Sequence, residues 1–146
     1  MSSSTVREIL KTKGNTVWSV RPQDMVKDTL NLMAEKNIGT VIVLEGEKIA
    51  GIFSERDFAR HCAKRSLRPE EVAVKDMMTT RILFVSPAQT TEECMSLMTS
   101  KHIRHLPVIE DDKLVGLISI GDVVKKIMED QKFSISQLER YVTGEV

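Results

Sequence analysis

Two kinds of segment alternate along the chain. "TVWSV" (16–20) and "ILFV" (82–85) are short β-rich runs whose last Val is followed two residues later by Pro22 or Pro87, which predicts strands closed by turns. In 24–37 and 90–102 the apolar residues instead fall at helical spacing: Val26, Leu30 and Met33 in the first, Cys94, Leu97 and Met98 in the second. Thr90 with Glu93 three residues on reads as a capping box. "TVIVLEGEKIAGIF" and "HLPVIEDDKLVGLI" are each two apolar runs around a polar turn, and so predict hairpins. After Ser54 and Ser119 a second helix is expected, its apolar face formed by Phe58, Ala59 and Cys62 or by Val123, Val124 and Ile127. Ser is a favoured N-cap, and Asp57 and Asp122 fall in the first turn, where negative charge suits the helix dipole.

The second series repeats the first. At an offset of about 65 residues Val20, Pro22, Leu32, Met33, Lys36 and Ile38 fall on Val85, Pro87, Leu97, Met98, Lys101 and Ile103. Val43, Glu45, Lys48, Gly51, Ser54 and Asp57 fall on Val108, Glu110, Lys113, Gly116, Ser119 and Asp122, with no gap throughout. The chain is therefore read as α+β, two tandem β-α-β-β-α repeats. One such unit is too small to bury a stable core, whereas two copies can. The eight Met residues are expected in that core.

Composition removes several function classes. With 21 Lys and Arg against 21 Asp and Glu, the chain has no overall attraction for nucleic acid or an anionic membrane. No apolar run approaches the roughly 20 residues needed to span a bilayer. "MSSSTVREIL" does not read as a secretory signal, and Cys62 and Cys94 form no disulfide framework. These features predict a cytoplasmic protein in reducing surroundings. Catalysis finds no motif: there is no P-loop and no nucleophile paired with a His. His102 and His105 do not share a helical face, so no metal is expected.

The repeated Ser-x-x-Asp has two readings. As a cap, Ser satisfies an orphan amide and Asp complements the dipole. Gly three residues before each Ser goes beyond a cap, because it allows close approach of a backbone or a ligand. As a nucleotide site, the carboxylate would accept ribose hydroxyls, while helix-start amides and the Ser hydroxyl would donate to phosphate. Arg104 and His105 supply donors for phosphate, whereas Gly39 and Thr40 stand at the matched positions of the first repeat, so the two sites should differ in phosphate affinity. Arg56, Arg60 and Lys64 form a basic stripe expected to face solvent, with Arg56 placed to reach a phosphate. Trp18 reads as a half-buried strand residue.

The duplicated "G-h-h-S-x-x-D", with "I-x-x-L-P-V" before the second hairpin, resembles a pair of cystathionine β-synthase (CBS) domains, the Bateman module. "TVREIL" and "AVKDMM" resemble the short helices that open each unit, and "FSISQLERYVTG" is similar to the tail helix of stand-alone CBS-pair proteins. The resemblance implies a pseudo-twofold pair: repeat 1 with its N-terminal helix over 5–67, repeat 2 over 68–130 and a helical tail over 131–146. It implies adenosine ligands (AMP, ADP, ATP, NAD(H) or S-adenosylmethionine) in clefts between the repeats, with no catalysis. Asp57 and Asp122 would hold ribose, and Ser54 and Ser119 would lie near ribose or phosphate. Thr16, Val17, Ile38 and Gly39 would form one adenine wall, and Thr80, Ile82 and Ile103 the other. Ile42 stands where the second repeat has Pro107, a departure from the fuller motif. Homodimerisation through exposed helix faces is a further implication. The alternatives are a nucleotide-tuned regulator of a thioredoxin-like or other partner enzyme, and a structural dimerisation module.

Overall fold

Helix starts and hairpin turns are where pattern and fold coincide most closely. The computed structural model describes residues 4–143. Helix α1 (Val6–Lys13) precedes two matched series. The first is β1 (Ser19–Val20), α2 (Val26–Lys36), β2 (Thr40–Glu45), β3 (Lys48–Ser54) and α3 (Glu55–Lys64). Short 3-10 turns at Pro69–Glu71 and Val74–Asp76 lead to α4 (Thr91–Lys101), β4 (His105–Glu110), β5 (Lys113–Ser119) and α5 (Ile120–Thr143).

Both hairpins are antiparallel and close on two-residue turns, Glu45 facing Lys48 and Glu110 facing Lys113. Asp111 and Asp112 have φ of 52° and 62°, the left-handed pair that a type I′ turn requires and short polar side chains tolerate. In the other hairpin Gly46 takes the positive φ, 65°. Even the irregularity is duplicated, with a register shift after Val43 and after Val108.

The first strand of each repeat is shorter than its β-rich run suggests. β1 pairs with β2 only at Ser19 and Val20, and 82–85 contributes a single parallel bridge from Val85 to Val108. These segments have a hairpin on one side only, and Pro22 and Pro87 cut the pairing short.

The backbone packs as two bodies. Residues 16–83 form one, and the chain before Thr16 joins the chain from Phe84 onward in the other. This differs from the expected division at 67/68. Val6, Ile9 and Leu10 of α1 are buried with Val85, Cys94, Met98, Leu106, Val108, Ile118 and Val123, all of the second repeat. Val74 and Met77, expected to open the second repeat, are buried with Val26, Met33, Val41, Val43 and Phe53 of the first. Backbone hydrogen bonds hold the exchanged segments in place. The segments leading into α2 and α4 carry amides and carbonyls that need partners. Val26 N donates to Val72 O and Val74 N to Asp24 O, each at 2.8 Å. Val6 N donates to Gln89 O and Thr91 N to Ser4 O, each at 2.9 Å.

The same exchange explains the repeated glycine. A Cβ on Gly51 would lie 2.6 Å from Met78 Sδ and 2.9 Å from Thr79 O, and one on Gly116 would lie 2.7 Å from Leu10 Cδ2. The close approach is made by the protein's own segment. α5 also departs from expectation: it runs without a break through 131–143, so the tail helix extends it, and residues 144–146 lie outside the described part. Met33, Met77 and Met98 are core as expected, whereas Met25 and Met128 are exposed.

Candidate functional site: two capped helix starts

In the 16–83 body, β3 ends at Ser54 and α3 begins at the next residue. Ser54 Oγ accepts from Asp57 N at 3.2 Å, and Asp57 Oδ2 accepts from Ser54 N at 2.9 Å, a reciprocal cap. Ser54 Oγ also lies 3.0 Å from Asp57 Oδ2. The other carboxylate oxygen, Oδ1, accepts from the Thr79 hydroxyl at 3.0 Å. Glu55 N donates to Gly39 O at 3.1 Å, and buried Thr40 faces Ser54 across the hairpin, so Gly39, Thr40, Ser54, Arg56 and Asp57 gather at this helix start.

The second body repeats the construction. Asp122 N donates to Ser119 Oγ at 3.1 Å, and Ser119 N to Asp122 Oδ2 at 2.8 Å. Ile120 N donates to Arg104 O at 2.8 Å, and His105 faces Ser119, so Arg104, His105, Ser119 and Asp122 gather in turn. The partner from outside the repeat is different. Lys13, in the last turn of α1, donates from Nζ to Asp122 Oδ2 at 2.6 Å and to Leu117 O at 2.7 Å.

Charge follows geometry. Partial burial pushes the Asp122 carboxyl upward, but hydrogen bonds from Lys13 and from the Ser119 amide outweigh it, so its pKa lies below the ordinary value. The His105 imidazole is lowered, first by burial and then by the positive charge of Lys13, against an opposing pull from Asp122. A carboxylate offers about four acceptor positions, so the caps leave room for further donors.

Thr16, Val17, Ile38, Thr80 and Ile82 belong to the 16–83 body, and Ile103 to the other. Two polar residues that the sequence does not single out reach these helix starts, Thr79 at Asp57 and Lys13 at Asp122. No local spacing marks either. Trp18, just before β1, is 40% exposed, and Lys36 Nζ stands 4.4 Å from its ring centroid, a cation–π contact. Cys94 is a core residue whose thiol burial pushes up to about 11, with a further push from Glu93, which makes it a poor nucleophile. Among the described residues no three His, Cys, Asp or Glu side chains gather as a metal-holding group.

Two matched α+β halves, each ending its hairpin in a reciprocally capped helix, define a tandem-repeat module. The CBS domain family model matches residues 5–64 and again 74–129, and the chain belongs to that family. It is 32% identical over 152 residues to the CBS domain-containing protein CBSX3, mitochondrial, of Arabidopsis thaliana, covering 97% of this chain and 73% of that one. A solved CBS-domain protein from Burkholderia ambifaria superposes with a TM-score of 0.83 at 46% identity, covering 88% of this chain and 96% of the other. CBSX2, solved in complex with AMP, gives a TM-score of 0.72 at 25% identity over 88% of this chain and 98% of its own. No described helix is long and apolar enough to cross a membrane.

Proposed function

We propose that the chain is a regulatory sensor of adenosine compounds, of the AMP, ADP, ATP or NAD(H) class, and that it acts by binding rather than by catalysis. The observation that carries this reading is the duplicated helix start: a capped carboxylate with acceptor capacity to spare, beside helix amides. The likeness to CBSX2, solved with AMP, supports the ligand class. Asp57 and Asp122 take the ribose hydroxyls; Ser54, Ser119, Arg56, Arg104 and His105 serve ribose and phosphate. The apolar residues Val17, Ile38, Ile82 and Ile103, with Thr16, Gly39, Thr40 and Thr80, serve the base. Binding shifts a conformational or oligomeric equilibrium that a partner enzyme reads, in the cytoplasm. A homodimer is part of the reading, supported by the exposed apolar residues Val124, Met128, Ile135 and Leu138 along α5.

Calorimetric titration of nucleotide-stripped protein with AMP, ADP, ATP, NAD, NADH and S-adenosylmethionine tests it. The expected outcome is binding of at least one compound, with stoichiometry halved by Asp57→Ala or Asp122→Ala in variants that keep their circular dichroism. Silence across the panel would leave the motifs as helix caps and favour a structural dimerisation module.

A further inference from the structure

The two carboxylates are capped alike but faced differently. Asp57 meets the neutral hydroxyl of Thr79, and Asp122 meets the ammonium of Lys13. The surroundings accentuate the contrast. Arg104 and His105 precede Ser119 and Asp122, whereas Gly39 and Thr40 hold those places beside Asp57. The first residue of α3 is the acidic Glu55, and that of α5 is Ile120. Lys125 and Lys126 line, with Lys13, Asp122 and the acidic Glu129, a hollow of about 180 Å³, three cations against two carboxylates.

We infer that Lys13 is a specificity-determining residue of the Asp122 half, which selects adenosine compounds that carry phosphate over those that do not. The inference rests on the adenosine-binding reading. Its first support is position: the ammonium sits against the carboxylate that would read ribose, the sugar to which a 5′-phosphate is attached. A second support is that Lys13 is anchored yet not saturated. An ammonium has three N–H donors, and the bonds to Asp122 and Leu117 use two. Third, the ammonium offsets the charge of Asp122, which would otherwise repel a phosphate. The Asp57 half has no such offset from Thr79; Arg56 is the cation in the first turn of α3, and Glu55 stands beside it.

Titrations with AMP and with adenosine, in an Asp57→Ala background that reports the Asp122 half alone, test this. Lys13→Met should weaken AMP about tenfold, the scale of one lost hydrogen bond to a charged group, and leave adenosine within about twofold. Lys13→Arg should restore most of the AMP preference. Equal losses for both ligands would overturn the inference, because Lys13 would then only brace Asp122. Unchanged AMP affinity in Lys13→Met would also overturn it. If the Asp57→Ala parent and the unsubstituted protein bind neither of these nor any other compound of the panel above, the adenosine reading itself fails and takes the role of Lys13 with it. Thermal melts of each variant confirm that a lost signal is not lost fold.

Discussion

Asp57 and Asp122 occupy the same place in their repeats and hydrogen-bond the same way to their own helix starts, yet each meets a different group from outside the repeat. Local physics explains the sameness. A helix that begins straight after a hairpin leaves orphan amides, and Ser with Asp three residues on satisfies them reciprocally. Any copy that loses this pair loses a cap, so the pair has a structural role in both repeats. The difference comes from the segments ahead of each repeat, which run in parallel over Val6-Arg7-Glu8-Ile9-Leu10 and Val74-Lys75-Asp76-Met77-Met78 and then part. α1 continues as helix to Lys13, whose long side chain reaches Asp122. After the Val74–Asp76 turn the chain runs extended instead, and Thr79 pairs with Ile52 through two backbone bonds of 2.8 and 2.9 Å. That pairing brings a short hydroxyl to Asp57. A capped aspartate therefore does not fix the charge beside it; the residue arriving from the preceding segment does.

The largest stability contrast should appear at the matched glycines. A methyl on Gly51 meets Thr79 O, a backbone atom tied to Ile52, as well as Met78. A methyl on Gly116 meets the tip of the Leu10 side chain, which can turn aside. Gly51→Ala should cost about 1–3 kcal/mol, in the range of overpacking, and Gly116→Ala clearly less. Urea unfolding midpoints compare them. Equal costs would show that Leu10 is held as rigidly as the Thr79 backbone and would erase this difference between the halves.

The caps should behave in the opposite way, alike in both repeats. Ser54→Ala and Ser119→Ala each remove an acceptor for an orphan amide, and each should cost about 1 kcal/mol. Thermal denaturation of the two variants under one buffer condition checks this. A markedly larger loss at Ser54 would show that its extra contact to Asp57 Oδ2 matters more than the cap itself.

How much of this was legible in the sequence depends on how far each interaction reaches. The α2–α4 and hairpin correspondences follow from periodicity, and the Thr90–Glu93 box forms as read, because its partners sit three residues apart. The site residues flanking each Ser were gathered by hairpin register, which a two-residue turn fixes. The exchange of opening segments was not legible. Val6, Ile9 and Leu10 announce an apolar face, but nothing local says which repeat will bury it. The repeated glycine is plain in the sequence, but its purpose is open there between backbone and ligand; the atoms that fill the space, Leu10 and Met78, come from segments distant in sequence or from across a turn. Lys13 was invisible for the same reason, since its partner lies 109 residues away. The first strands are shorter than their β-rich runs predict because β-propensity reports fit to a pleated surface, and a partner on one side only gives it little to act on.

The smallest effect bears on the charge difference itself. The folded-state pKa of Asp122 is depressed, so its ionised form stabilises the fold above the ordinary carboxylate pKa, near 4, and that contribution is lost as pH falls through the lowered value. Lys13 and Asp122 keep 36% and 25% of their side-chain surface exposed, and a pair so placed contributes at most about 1 kcal/mol. Lys13→Met should therefore lower stability by about 0.5–1 kcal/mol at about pH 7, with the gap to the unsubstituted protein closing as the solution is acidified toward about pH 2. Thr79→Val, which removes only a neutral donor from Asp57, brings no comparable loss of an ammonium and serves as the control from the other half. Denaturant titrations across that range read both. A Lys13→Met gap that persists undiminished into acid would mean that the bond from Lys13 to the Leu117 carbonyl, which does not titrate, holds α1 in place. The two halves would then differ in architecture at this point and not in charge.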